Sequence, residues 1–159
     1  MKKNIFLILF VILGSCSLKN TQTINVKKYD DVKLFNNSFN SLSTISIKDS
    51  ILTIDTVSIF SDIIVSSFFS NSILFLSPSK DTILSKGNKK ITGFYNMGTE
   101  KYNIPPQEGY FDMEYPAKGN WYFVKTSDER YLRIFVKEFS QESLILDIEL
   151  LNDTTLIFP

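Results

Sequence analysis

The 159-residue sequence contains no histidine and a single cysteine, Cys16. Without histidine, the commonest general acid–base group and the commonest transition-metal ligand are both missing. A lone cysteine cannot close a disulfide within one chain, so the fold has to rest on burial. Glycine is scarce, at six residues, and residues 17–70 contain neither glycine nor tryptophan. The Gly-x-Gly-x-x-Gly fingerprint, the phosphate loop, the Gly-x-Ser-x-Gly elbow and clustered metal ligands are all absent. Charge of either sign is not in excess, with 17 basic against 17 acidic side chains. That balance lacks the basic footprint of a nucleic-acid binder. Any chemistry would run on carboxylates, lysine, tyrosine or hydroxyls, so the sequence reads as a non-enzyme without a cofactor.

What is present begins at the N-terminus. Lys2 and Lys3 precede nine consecutive apolar residues, Ile5 to Leu13, and small residues Gly14 and Ser15 lead into Cys16. A basic start, a short apolar stretch and a small-residue cleavage site make a secretory signal. The apolar run falls well short of the roughly 20 residues that cross a bilayer. Leu13-Gly14-Ser15-Cys16 resembles the lipobox of bacterial lipoproteins. The resemblance implies acylation of Cys16, cleavage before it and attachment to the envelope membrane through lipid. More than one acyl chain is needed for stable anchoring. Removal of Lys2 and Lys3 would leave 15 basic against 17 acidic side chains, a net of −2.

The expected organisation is a signal peptide over residues 1–15, a lipidated cysteine and polar tether over 16–41, and one β domain over 42–159. The Asn- and Lys-rich composition of the tether cannot bury enough apolar surface to offset its ordering entropy. Within it, Ile24 to Lys28 has the makings of a short strand. An aromatic content of 14% and a hydrophobic content of 43% suffice for a core.

From Leu42 the pattern is β. Ile45 and Ile47 alternate with polar residues, Asp49-Ser50 reads as a turn, and Leu52 and Ile54 resume the alternation. Residues 59–69 and 73–76 are more continuously apolar, either strands buried on both faces or short helix. Thr82 to Ser85 and Ile91 to Tyr95 flank a Lys-Gly-Asn-Lys-Lys turn, and residues 96–108, with Pro105-Pro106, form a long loop. Strands then recur: Tyr110 to Tyr115, Trp121 to Phe123, Leu132 to Lys137, Leu144 to Leu150 and Thr154 to Phe158. Such spacing predicts an all-β fold, a single antiparallel barrel or a β-sandwich.

Gly119-Asn-Trp121-Tyr-Phe123, Tyr131-Leu-Arg-Ile134 and Phe139-Ser-Gln-Glu-Ser-Leu144-Ile-Leu146 resemble, in that order, the strands of the small lipocalin-like domains of Bacteroidota lipoproteins. The likeness covers about residues 71–158. It implies a meander barrel with a small hydrophobic ligand inside, and Phe111, Met113, Tyr115, Trp121 and Phe123 would line the cavity. The alternative is a filled sandwich serving an outer-membrane assembly as an interaction or structural module. Aromatic residues on strands are also ordinary core.

Other candidates have plain readings beside the functional ones. Asp112 with Glu114, and Asp147 with Glu149, place two carboxylates on one strand face, the pairing that glycoside hydrolysis uses; a solvated strand face gives the same pattern. Lys86, Lys89 and Lys90 could meet an anionic head group or simply keep a turn soluble. Tyr95 and Tyr102 flank the long loop as rim residues. Four Asp-Ser/Thr triplets, at Asp49, Asp55, Asp81 and Asp153, resemble the O-glycosylation acceptor of exported Bacteroidota proteins, and are also what strand-starting turns produce. Ser17 after the cysteine, and the lack of acid in residues 17–21, point to the periplasmic face of the outer membrane.

Overall fold

A computed structural model describes residues 25–36, 43–67, 72–81, 90–151 and 157–159. The expected signal peptide and Cys16 lie outside the described residues, as do Lys86, Lys89 and the Thr82 and Asp153-Thr154 parts of two triplets.

Among the described residues ten strands form two antiparallel five-stranded sheets. In chain order they are β1 (Val26–Phe35), β2 (Thr44–Lys48), β3 (Ile51–Asp55), β4 (Ile63–Ser66), β5 (Leu74–Leu76), β6 (Gly93–Gly98), β7 (Met113–Glu114), β8 (Trp121–Lys125), β9 (Tyr131–Phe139) and β10 (Ser143–Leu151). Sheet A runs β1-β10-β9-β8-β6 and sheet B runs β3-β2-β4-β5-β7. The architecture is a β-sandwich, and a short 3-10 helix, Pro78–Lys80, follows β5.

The inner faces supply one core. Leu132, Ile134 and Val136 of β9 meet Leu144, Leu146, Ile148 and Leu150 of β10, and across the sandwich Ile45, Ile63, Val65 and Phe75. The Phe75 ring sits 5.7 Å from that of Phe94 and 5.6 Å from that of Tyr122, stacked on the first and edge-on to the second. Aromatic pairs favour such offset and T-shaped arrangements. β4 and β5 are buried along their whole length, which explains their continuously apolar sequence. Of the two readings open for that stretch, the doubly buried strand is the one observed.

Local signals set the register. Asp49 and Ser50 both have positive φ, at 50° and 59°, and join β2 to β3 by a two-residue turn. Positive φ at both central positions is what the tight hairpin turn matching strand twist requires. In β1, Tyr29 and Val32 are three residues apart yet both face the core, an odd spacing that a regular strand cannot deliver. A bulge between them solves this: their partners on β10, Ile148 and Leu146, are only two apart. Asp31 sits in the bulge at φ 55°, and its N–H donates to Asp147 Oδ1 at 3.0 Å.

β1 corrects the expected tether. Ten residues of the polar stretch are an edge strand of sheet A, paired along β10 from Val26 opposite Leu151 to Phe35 opposite Ser143. Its charged residues, such as Lys27, Asp30 and Lys33, stand on exposed positions, while Val32 and Leu34 enter the core. A composition that reads as unstructured by its average is here a strand with one buried flank.

The two sheets are laced at both open sides. On one side the chain leaves β6, makes a single bridge between Phe94 and Phe111, and reaches sheet B as β7. On the other, Leu52 N–H donates to Tyr29 Oη at 3.2 Å and Lys27 Nζ to Ser50 O at 2.9 Å.

Candidate functional site

The five residues expected to line an inner cavity do not share an interior. Phe111, Met113 and Tyr115 are exposed, at 65%, 44% and 57%. Trp121 and Phe123 lie on the outer face of sheet A, because their neighbours Tyr122 and Val124 are the inward residues of β8. The physical reason for this correction is that β8 is covered on both sides. Trp-Tyr-Phe-Val offers apolar residues to each face, so alternation cannot say which points inward.

What covers the outer face of sheet A is the loop of residues 99–110 together with the C-terminal residues. The Phe158 and Phe123 rings pack tilted at 48° with centroids 5.6 Å apart, and Met97, Tyr131 and Leu151 are buried around them. Phe158 N–H donates to Asn103 O at 2.8 Å, tying tail to loop. The long proline-containing loop is a lid over the flank of a sheet.

Beneath that lid lies an ion pair. Arg133 of β9 is fully buried and stands opposite Glu149 of β10, itself 7% exposed. Arg133 Nε donates to Glu149 Oε2 at 2.6 Å and Nη2 contacts the same oxygen. Nη1 donates to Tyr102 O and to Asn103 Oδ1, both at 2.9 Å, and Nη2 to Pro159 O at 3.2 Å. All five N–H bonds of the guanidinium therefore have acceptors. The plane also lies against Phe158, 4.6 Å from its centroid, and 5.7 Å from that of Trp121.

Glu149 Oε1 accepts from Lys101 Nζ at 3.0 Å, with Lys28 Nζ at 3.7 Å. Burial by itself would raise the Glu149 carboxyl, but the hydrogen bonds and charges of Lys101 and Arg133 outweigh it and hold the group below its ordinary range. Burial pulls Arg133 down, and Glu149 partly restores it.

This cluster has the charge and seclusion of an active site and none of the spare valence. Every donor of Arg133 is taken, two by Glu149 of the same sheet and three in pinning the lid and the tail to it. Nor does Glu149 sit on the solvated strand face that alternation implied: the lid converts an outward position into a buried one. Its expected companion Asp147 is half-exposed and pairs with Lys137 Nζ at 3.4 Å. The separate pair of Asp112 and Glu114 is likewise engaged, Asp112 with Lys80 at 3.1 Å and Glu114 with Asn96 at 3.4 Å.

A second buried carboxylate, Asp62, serves the backbone. Its Oδ2 accepts from Ile47 N–H at 2.7 Å and Oδ1 from Lys90 Nζ at 3.0 Å. The Ile47 bond takes over where the pairing of β2 with β4 ends, at Ile45 opposite Ile63. Lys90, weighed above as an anion contact, is thus an internal partner. Tyr95 packs on Tyr110 at 5.9 Å within the lid cluster. Tyr102 is exposed on its outer side, and the hydrogen bond its hydroxyl donates to Glu100, at 2.8 Å, raises the phenol.

Arg133, Lys101 and Asp62 were not singled out by sequence. A signal existed for one of them: Arg133 is a charge inside an apolar strand run, Leu-Arg-Ile. Among the described residues no three acidic side chains converge as a metal-holding group.

No family model and no curated protein matches the chain. A solved structure is similar in fold: a protein of the DUF4466 family from Parabacteroides merdae, with a TM-score of 0.60 and 10% sequence identity. The match covers 79% of this chain and 53% of that one, so the chain spans about half the length of its neighbour. At this identity the likeness concerns the fold alone. It places the chain beside an all-β protein of Bacteroidota.

Proposed function

We propose that the chain is a lipid-anchored, non-enzymatic protein of the bacterial envelope whose filled β-sandwich acts as an interaction or structural module of an outer-membrane assembly. The observation that supports this most is the packing between the sheets. Phe75, Phe94 and Tyr122 occupy the middle of the sandwich ring against ring, and aliphatic side chains surround them. Rings in contact and the aliphatic side chains around them favour a filled interior over a chamber for a ligand the size of a fatty acid. The aromatics proposed to line a lipocalin-like cavity are divided between the surface and the underside of the lid.

A module working through its surface also accords with where charge is spent: the buried ionic groups hold the protein's own loops, and catalysis would need a group with a free lone pair or proton. Anchoring rests on Leu13-Gly14-Ser15-Cys16. We take the tethered face to be the periplasmic side of the outer membrane.

The test is chemical cross-linking in intact cells that carry the wild-type or the Cys16→Ser protein, grown with labelled palmitate. The proposal expects label on the wild-type chain alone and a defined cross-linked protein partner that depends on Cys16. Label on the serine variant, or a wild-type protein recovered soluble and without partners, would overturn it.

A further inference from the structure

The turn that joins β8 to β9 and the segment leading to β7 stand on either side of the start of β6. Between them opens a cavity of about 440 Å³. That is within the roughly 300–1,000 Å³ range of small-molecule sites. Its walls are Gln107, Glu108 and Tyr110 on one side and Lys125, Thr126 and Glu129 on the other. Gly93 forms part of the lining, and a side chain there would run into Tyr110, since an added Cβ would lie 2.7 Å from the tyrosine Cβ. The turn is braced from within: Thr126 N–H donates to Arg130 O at 2.9 Å and Arg130 N–H to Thr126 Oγ1 at 3.2 Å.

The lining selects by chemistry. Carboxylates, an amide, an ammonium and hydroxyls make up about half of it, beside the apolar side chain of Ile91, so a purely alkyl ligand would strip water from polar groups and leave them unpaired. Two carboxylates, Glu108 and Glu129, against one Lys125 give a balance that repels phosphate and other anions. Asp112, at the same cleft, is neutralised by Lys80 at 3.1 Å. A cation would meet the Lys125 ammonium across the cleft. What suits such a surface is a neutral molecule whose groups both donate and accept. The Tyr110 hydroxyl is buried out of reach of the cleft and has no hydrogen-bond partner among the described residues, and its ring packs on Tyr95 within the lid cluster. Burial pushes that phenol well above its ordinary value, so it keeps its proton.

We propose that this cleft binds a short neutral saccharide, whose hydroxyls donate to Glu108 and Glu129 and accept from Gln107 and Lys125. This would give the module a ligand of the opposite polarity to the one a lipocalin-like barrel would hold.

The experiment is an NMR titration of the 15N-labelled chain with maltotriose, cellotriose and chitotriose in turn, with spermidine and inorganic phosphate as comparison arms. At least one trisaccharide should move the amides of Gly109, Tyr110, Thr126 and Ser127 to saturation. Gln107→Ala and Glu108→Gln, both exposed loop positions, should each weaken that titration about three- to ten-fold, the worth of one hydrogen bond. Lys48→Ala, on the distant β2–β3 hairpin, should leave it unchanged. Silence toward all three sugars would overturn the proposal. So would movement of these amides by spermidine or phosphate alone, or an undiminished titration in both loop variants.

Discussion

Replacing Arg133 by methionine removes the guanidinium and leaves Glu149 beneath the lid with Lys101 and Lys28 as its remaining partners. The pair is secluded, with the Arg133 side chain at 0% and the Glu149 side chain at 9% exposure. Removing one member of such a pair costs about 3–5 kcal/mol, because the other charge stays buried. For a domain of this size that is a fall in Tm of roughly 10–18 °C. The loss extends beyond the ion pair, since Tyr102 O, Asn103 Oδ1 and Pro159 O lose their donor at the same time. Thermal unfolding followed by circular dichroism measures the magnitude, and hydrogen exchange of residues 101–104 shows whether the lid is what loosens. The double variant Arg133→Met with Glu149→Leu should regain part of the stability, since no charge is left buried, while the lid stays loose. If Arg133→Met lies within about 1 kcal/mol of the parent, the value of an exposed pair, the reasoning about the lid is wrong.

Three further outcomes follow from the same structure. Glu149 titrates below its ordinary value of 4.5 when folded, so its contribution is complete above that pH and is lost as pH falls through the lower folded value. Urea midpoints measured from neutral to acid pH should show this loss in the parent, and Glu149→Gln should flatten it. Phe75→Ala opens a hole between Phe94 and Tyr122 and should cost about 3–5 kcal/mol in urea unfolding; a cost below about 1 kcal/mol would mean the rings do not fill the core. Gly93→Ala forces a Cβ to within 2.7 Å of the Tyr110 Cβ and should destabilise by about 1–3 kcal/mol, with a thermal melt as the readout.

Much of the sandwich was legible where one strand face is dry and the other wet. In β10 the alternation of Leu144, Leu146, Ile148 and Leu150 with Ile145, Asp147 and Glu149 names the core side correctly, and in β2 and β3 the Asp49-Ser50 turn falls where expected. Legibility ends where a second layer arrives. The lid makes Phe123 and Arg133 buried on the outer face, so aromatic content in β8 no longer reports the inner core, and the charge of Glu149 no longer reports solvent. β1, legible only at its start in Ile24 to Lys28, was otherwise hidden for the opposite reason. As an edge strand it buries only part of one face, and its bulge breaks the period of two between Tyr29 and Val32. Exposure of Phe111, Met113 and Tyr115 reflects a strand at a sheet edge, which alternation cannot distinguish from one in the middle.

The saccharide cleft could not be read at all from the linear order. It brings residues 107–110 together with 125–129, across the seam between β6 and β7. Neither segment carries a motif, and the site exists only once the hairpin and the loop are folded beside Gly93.

The account stands on a solid interior. Native mass spectrometry of the Cys16→Ser protein, isolated from its source cell without denaturation, tests this most directly. A polypeptide mass free of any apolar passenger is the predicted result; a hydrophobic molecule retained at one copy per chain and released on unfolding would contradict it.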